Sequence, residues 1–202
     1  MRSRVFTVIL AGFLIGALGG AAALVLTSSG SGSKVATSGK ALVGGPFALV
    51  DPNGKTVTDQ DFRGRHMLVF FGFTNCADIC PAEIQVMAAS LDGLGEKADK
   101  VVPIFITLDP ERDTPDAVGA YVKNFGARFI GLSGSPQAIE QAAKSYRVAY
   151  SKFVPDGADA ARGYSVDHSA FVYLMGTDGQ YITHFPYGTP SAKMTETMRR
   201  YL

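Results

Sequence analysis

The chain has only two cysteines, Cys76 and Cys80, and they directly follow an apolar run that ends at Phe71. A structural disulfide stabilises most when it closes a long loop, and this pair would close almost none. Proline favours the first helical position, so a helix is predicted to start at Pro81, with Cys80 at or near its N-cap and Glu83 in its first turn. The positive end of a helix dipole favours thiolate over thiol. The spacing therefore predicts chemically active thiols, the alternatives being two small buried hydrophobes or an incidental disulfide.

The first 26 residues are predicted to form a transmembrane signal anchor. Residues 5–26 carry no charge, and as a helix they would be roughly 33 Å long, enough to cross a bilayer. Arg2 and Arg4 precede this run, so the N-terminus is expected in the cytoplasm and the rest of the chain outside it. No long Arg- and Ser-rich presequence is present, which favours a bacterial inner membrane and a periplasmic domain. Cleavage near Ala23 is the alternative.

Two further segments follow the predicted anchor. Residues 27–39 are rich in Gly and Ser and are predicted to be a flexible linker. Residues 40–202 have the length of one domain, which buries roughly 70% of its unfolded surface and needs no disulfide. The formal net charge of the whole chain is only +1, so no basic surface for nucleic acid is predicted.

Strands and helices alternate along this domain. An Asn-Gly turn at 53–54 predicts an N-terminal hairpin, followed by a strand up to Phe71 and a helix from Pro81 to about residue 94. Further strands are predicted at 101–108, 129–132, 148–154, 169–175 and 180–185, a polar loop at 155–164, and helices at 114–125, 135–146 and 192–202. This order predicts an α/β sandwich of thioredoxin type, with a mixed central sheet flanked by helices and with N-terminal and C-terminal hairpins.

Three ordered segments, at 71–81, 108–115 and 166–169, resemble the signatures of the Sco/SenC family. Members of that family are membrane-anchored, thioredoxin-fold copper proteins that help to metallate cytochrome c oxidase. The resemblance implies that Cys76, Cys80 and His168 are the copper ligands and that Asp78 is the family's acid between the cysteines. It further implies a chaperone for one Cu(I), or Cu(II) less tightly, that serves the copper-bearing subunit of cytochrome c oxidase. An upstream periplasmic copper donor and a thiol reductant are possible further partners.

The chemistry of these residues agrees with the resemblance. Two thiolates and an imidazole form a soft three-coordinate set suited to Cu(I), whereas a closed zinc site would need a fourth ligand. Of the three histidines, His66 opens an apolar strand and His184 lies in the terminal hairpin. His168 is predicted at the start of a strand, in the loop that faces the thiols in a thioredoxin fold. Asp167 is either a partner that orients the imidazole or a solvated acid at a strand edge.

Three acids, Asp109, Glu111 and Asp113, follow the strand predicted at 101–108. One interpretation is an acidic rim that attracts either cations or a basic partner. The other is a capped loop that leads into the helix after Thr114.

The competing function is thiol chemistry. Thioredoxin-like oxidoreductases place two residues between their cysteines, often after a Trp, whereas this chain has three intervening residues and no Trp. Peroxiredoxins need a Pro and a Thr at set spacing before the reactive Cys, and here Thr74 lies only two residues ahead with no Pro before it. The remaining alternative is a thiol:disulfide reductase that keeps the oxidase's own copper-binding cysteines reduced. The main prediction is therefore a non-enzymatic metallochaperone.

Overall fold

The computed structural model describes residues 43–154, 156 and 163–202. The predicted anchor at 1–26 and the predicted linker at 27–39 lie outside the described residues, as does most of the loop predicted at 155–164. In the described ranges no helix is long and apolar enough to cross a membrane.

The core of the domain is a mixed sheet of five strands. They are β3 (His66–Gly72), β4 (Val101–Thr107), β5 (Ile130–Leu132), β8 (Phe171–Met175) and β9 (Tyr181–Pro186). They lie side by side in the order β5-β4-β3-β8-β9. Strand β3 runs parallel to β4, which runs parallel to β5, while β8 pairs antiparallel with both β3 and β9. Every residue of β3 and β4 is buried, as expected for central strands covered on both faces. The predicted thioredoxin-like architecture is confirmed.

Four α-helices lie in the described part of the chain, and two of them begin at clear local sequence signals. They are α1 (Ile79–Asp92), α2 (Pro115–Lys123), α3 (Pro136–Ser145) and α4 (Ser191–Arg199), and two short 3₁₀ turns lie at Asp59–Phe62 and Gly95–Lys100. The side chains of Thr114 and Ser135 cap α2 and α3 by accepting amide hydrogen bonds, each just before a proline, as the sequence predicts.

Helix α1 begins two residues earlier than predicted. Its N-cap is Asp78, so Cys80 lies inside the first turn and not at the cap. The reason is that a helix tolerates proline throughout its first turn, where amide groups have no intrahelical partner. Pro81 therefore does not have to be the first helical residue.

Both predicted hairpins are present, and a third one separates them. Strands β1 (Ala48–Val50) and β2 (Thr56–Thr58) pair around the Asn-Gly turn, and β8 pairs with β9. Between them, β6 (Tyr150–Phe153) and β7 (Ser165–His168) form a separate two-stranded antiparallel sheet. His168 is thus the last residue of β7, and its prediction at the start of the next strand is wrong. Its strand partner, Tyr150, is distant in sequence, so the pairing left no local signal.

Candidate metal centre

The two thiols lie at the carboxyl end of the central strand β3. Cys76 is half-buried in the loop after the strand, and Cys80 is fully buried in the first turn of α1. The amide of Cys80 donates a hydrogen bond to Cys76 Sγ at 3.3 Å, and both cysteines are free thiols. A side chain at Gly72 would come within 2.9 Å of Cys80 Sγ, so β3 leaves room for the sulfur only because it ends in glycine.

The pKa values of the two thiols are shifted in opposite directions. The Cys80 thiol and the amides of Cys80, Asp78 and Ile79 hydrogen-bond to Cys76 and lower its pKa to about 6, against an opposing effect of burial. Interaction with Cys76, followed by burial, raises the pKa of Cys80. At neutral pH the pair therefore holds one thiolate, on Cys76, and one thiol, on Cys80.

A buried carboxylate fixes the loop that carries the thiols. Asp113 is fully buried and accepts hydrogen bonds from the amide of Thr74 at 2.9 Å and from the hydroxyl of Thr107 at 2.6 Å. The hydroxyl of Thr74 donates to the second carboxylate oxygen. Because Thr74 lies two residues before Cys76, these bonds hold the thiol loop against the end of β4.

His168 brings its imidazole to the thiols from the separate hairpin. Its Nε2 lies 3.8 Å from Cys80 Sγ, and its Nδ1 lies 3.3 Å from the carbonyl oxygen of Ser169. With Nδ1–H donating to that carbonyl, the lone pair of Nε2 faces the sulfur. The rings of Phe70 and Phe73 meet the imidazole edge-on, and burial lowers the pKa of His168. The histidine is therefore held in its neutral, metal-binding form.

The separation of one pair of donors, Cys80 Sγ and His168 Nε2, fits a shared metal ion. With metal distances of about 2.3 Å for sulfur and 2.0 Å for nitrogen, two donors at an angle near 120° lie about 3.7 Å apart, close to the separation of Cys80 Sγ and His168 Nε2. Cys76 and His168 also line one cleft, together with Phe73 and Ile79. In the described ranges, no group of three or more His, Cys, Asp or Glu side chains is arranged so that it could hold a metal ion.

The other predicted acids do not join this group. Asp78 is exposed and caps α1 without a side-chain hydrogen bond. Asp167 is exposed as well, which fits the solvated alternative, although its charge raises the pKa of His168 against the larger effect of burial. The group that holds Nδ1 is the backbone carbonyl of Ser169, which no side-chain pattern could have indicated.

The prediction of an acidic rim is wrong. Asp109 and Asp113 are both fully buried, because each has donors that replace water: Arg112 and Tyr164 for Asp109, and the threonines for Asp113. Only Glu111 is exposed, and Lys152 lies 2.7 Å from it. The segment is therefore the capped loop of the other interpretation, and the carboxylates of Asp109 and Asp113 lie inside the protein.

The remaining histidines are structural. His66 is buried at the first residue of β3, roughly 20 Å of strand away from the thiol end. His184 lies on β9 with its Nδ1 2.5 Å from the hydroxyl oxygen of Tyr181.

The chain was compared with known proteins. Residues 35–202 match the family model described as SCO1/SenC. The human mitochondrial protein SCO1 homolog is 39% identical over 169 residues, which cover 81% of this chain and 55% of that protein. The chain thus spans about half the length of this relative.

Two solved structures extend the comparison. The crystal structure of Arabidopsis thaliana ScoI with copper bound aligns with a TM-score of 0.73 and 40% identity, covering 79% of this chain and 97% of that one. BsSco, described as a member of the Sco family of cytochrome c oxidase assembly proteins with a disulfide switch, aligns with a TM-score of 0.61 and 25% identity, covering 79% of this chain and 93% of that one.

Proposed function

Because the chain belongs to the SCO1/SenC family, we propose that it is a copper chaperone. It binds one Cu(I) through Cys76, Cys80 and His168 and delivers it to the binuclear copper site of cytochrome c oxidase. The observation that carries the proposal is the 3.8 Å approach of His168 Nε2 to Cys80 Sγ, beside a second thiol. Two sulfurs and one imidazole are the soft donor set that suits Cu(I), and the related Arabidopsis thaliana ScoI was solved with copper bound.

The three ligands differ in how readily they can bind and release the metal. Cys76 is half-buried and its low pKa makes it a thiolate at neutral pH. Cys80 is fully buried and must lose its proton when the metal binds, so binding releases a proton. A three-coordinate ion leaves room for an incoming thiolate of the recipient. The half-buried Cys76 and His168 would be exchanged first, and the fully buried Cys80 last.

The location of the protein is part of the proposal. The uncharged run at 5–26 and the two arginines before it favour a single-pass anchor with the copper domain in the periplasm. A reporter that is active only outside the cytoplasm, fused after Leu202, should be active, and the protein should stay with the membranes after an alkaline wash. A soluble, shortened product would instead indicate cleavage near Ala23.

A second candidate function is reduction of the oxidase's copper-binding cysteines. The observation that favours it is a half-exposed thiol, Cys76, in contact with a buried thiol, Cys80. Cys76 would attack a partner disulfide to form a mixed disulfide and release one partner thiolate. Cys80 would then attack Cys76, releasing the second partner thiolate and leaving a Cys76–Cys80 disulfide. Each cycle oxidises this dithiol by two electrons, so an external dithiol reductant must restore it.

Single replacements of the cysteines test the copper site. Cys76→Ala and Cys80→Ala in the full-length chain, purified in detergent, should each lower Cu(I) affinity by more than the roughly 100-fold that marks the upper range for loss of an outer-shell partner. Competition with a Cu(I) chelator under reducing conditions measures the affinity. Ser145→Ala is the matched control, because the hydroxyl of this residue on α3 donates to the Gln141 carbonyl and not to a residue of the site, and it should bind copper like the unchanged chain. Full copper retention in either cysteine variant would exclude the proposed ligand set.

A further inference from the structure

A polar network attaches the hairpin that carries His168 to the loop after β4. Tyr164, the residue just before β7, donates its hydroxyl hydrogen to Asp109 Oδ1 at 2.6 Å. The Arg112 guanidinium lies 3.7 Å from the centre of the Tyr164 ring and donates through Nη1 to the Tyr164 carbonyl oxygen at 2.8 Å. Arg112 also forms an ion pair with Asp109 through Nε. The three residues thus hold one another at the start of the strand that ends in His168.

Because Asp109 is buried, its contacts are important for the position of the hairpin. The Asp109 side chain has no solvent exposure, so its charge must be met by protein donors, and losing one of them leaves a buried carboxylate short of a partner. Lys152 on β6 lies 2.7 Å from Glu111 and 3.9 Å from Asp109, and its side chain is 37% exposed, so its ion pairs contribute little. The hydrogen bonds that join Tyr164 to Asp109 and to Arg112 are therefore the main polar attachment of this hairpin.

The hairpin needs such an attachment because it stands outside the main sheet. Among the residues that the structure describes, β6 and β7 pair with each other and are not part of the five-stranded sheet. An isolated two-stranded hairpin is marginally stable in water. Its placement therefore depends on side-chain contacts such as those of Tyr164 and on the short connection near Ser169, whose amide donates to the Ala149 carbonyl at 2.9 Å.

The same loop also holds the other half of the site. Asp113, four residues after Asp109, bonds to Thr74 beside the thiols. Within the loop, the amides of Arg112 and Asp113 donate to the Asp109 carbonyl oxygen, which keeps the two carboxylates in one compact turn. The turn from Asp109 to Asp113 is thus bonded through Asp113 to the thiol loop and through Asp109 to the hairpin that carries His168.

We infer that Asp109, Arg112 and Tyr164 are positioning residues that hold the His168 imidazole against the Cys80 thiol. The inference rests on the proposed function, in which His168 is the third copper ligand. When the network is weakened, β7 shifts away from the thiol loop and the separation of Nε2 and Sγ grows. The two thiols, held through Asp113, stay where they are. Copper binding is then weakened through the loss of its nitrogen ligand alone.

The test removes one hydroxyl group and keeps the ring. Tyr164→Phe loses the bond to Asp109 but preserves the surface on which Arg112 stacks. In the full-length chain it should weaken Cu(I) binding roughly tenfold, the lower end of what losing an outer-shell partner costs. It should also weaken the nitrogen coupling in the electron paramagnetic resonance spectrum of the Cu(II)-loaded protein. Tyr181→Phe, which loses a hydroxyl contact with His184 on β9, is the matched control and should change neither.

A double-variant cycle separates positioning from general stabilisation. In a His168→Ala background, Tyr164→Phe should cause no further loss of Cu(I) affinity, because there is no imidazole left to position. Equal losses in both backgrounds, no loss in the unchanged background, or a His168→Ala variant that binds copper normally would each overturn the inference. If Tyr164→Phe fails to fold, Arg112→Lys replaces it in the cycle. That variant keeps the charge beside Asp109 but lacks the planar guanidinium, and the same pattern is expected.

The cysteine variants tell this inference apart from the proposed function. Copper retention in Cys76→Ala or Cys80→Ala would defeat the copper site itself. Loss of copper in those variants, with normal binding and normal nitrogen coupling in Tyr164→Phe, would leave the site intact and refute only the positioning role.

Discussion

The candidate site is made of two halves that the fold supports in different ways. The thiol half grows out of the central sheet: β3 is buried throughout, Cys80 lies in the first turn of α1, and Asp113 ties the loop between them to β4. The imidazole half lies on the β6–β7 hairpin, a separate two-stranded sheet. His168 is the last residue of that hairpin, and its Nε2 approaches Cys80 Sγ.

This difference separates what is fixed from what can adjust. The thiol half depends on core packing, so changing its distances disturbs the whole domain. The imidazole half lies outside the main sheet and is held by fewer contacts, namely the polar network at Tyr164 and the packing of Val166 and of the imidazole itself, so it can move at smaller cost. A carrier that must hold a metal and later release it would gain from one rigid pair of ligands and one adjustable ligand.

The largest difference between the two halves is expected in the titration of Cys76, because the pKa of this thiol depends on the thiol half alone. Its pKa of about 6 arises from Cys80 and from amides at the start of α1. The rate of alkylation by iodoacetamide in the metal-free, full-length chain should therefore rise as the pH increases through about 6 and level off above it. An unperturbed thiol, with a pKa near 9.0, would still be gaining reactivity at pH 9.

Three variants test whether the titration of Cys76 is independent of the hairpin that carries His168. Cys80→Ala removes the main cause of the shift and should move the midpoint towards pH 9, whereas Cys80→Ser keeps a hydroxyl donor and should move it less. His168→Ala should leave the midpoint almost unchanged. A large shift in His168→Ala would show that the hairpin controls the thiols and would break the comparison.

The next largest effect is expected on stability, at the anchor of the thiol loop. Asp113→Asn replaces a buried carboxylate that accepts from Thr74 and Thr107 with an amide that carries hydrogens toward donors. We expect a loss of about 3 kcal/mol in the free energy of unfolding, measured by urea denaturation. Asp92→Asn, on the exposed end of α1, is the matched control and should change it by less than about 0.5 kcal/mol. Equal effects of the two substitutions would mean that Asp113 is not an anchor.

The smallest effect is expected at the exposed edge of the hairpin. Lys152→Met removes the ion pair with Glu111, the longer 3.9 Å contact with Asp109 and the approach to the Tyr164 ring. It leaves the bonds of Arg112 and Tyr164 to Asp109 in place. Since exposed pairs are weak and screened by salt, Cu(I) affinity should change by less than about threefold. A loss as large as that expected for Tyr164→Phe would place the attachment of the hairpin at Lys152 instead.

Features encoded by neighbouring residues could be predicted from the sequence. The Asn-Gly turn gave the first hairpin, the Thr-Pro and Ser-Pro pairs gave the starts of α2 and α3, and the continuous apolar run gave β4. The position of the thiols after a central strand followed from the same kind of local signal. Each of these depends on contacts within a few positions along the chain.

Features that depend on distant partners were missed or misjudged. The burial of Asp109 requires Tyr164, 55 positions away, and that of Asp113 requires Thr74, 39 positions away. No local pattern distinguishes such carboxylates from solvated ones. Strand β7 was not predicted. In the described part of the chain it pairs with the short strand β6, and a polar loop separates the two strands in the sequence.

The most direct test of the account measures copper affinity and oxidase metallation together in His168→Ala, with cells that carry this variant as their only copy. A chaperone needs the imidazole, whereas a reductase needs only the thiols of Cys76 and Cys80. We predict that Cu(I) affinity and the copper content of cytochrome c oxidase both fall, while the thiols still exchange with a disulfide probe. If copper binding collapses and the oxidase is nevertheless fully metallated, copper delivery by this site is contradicted and thiol reduction takes its place.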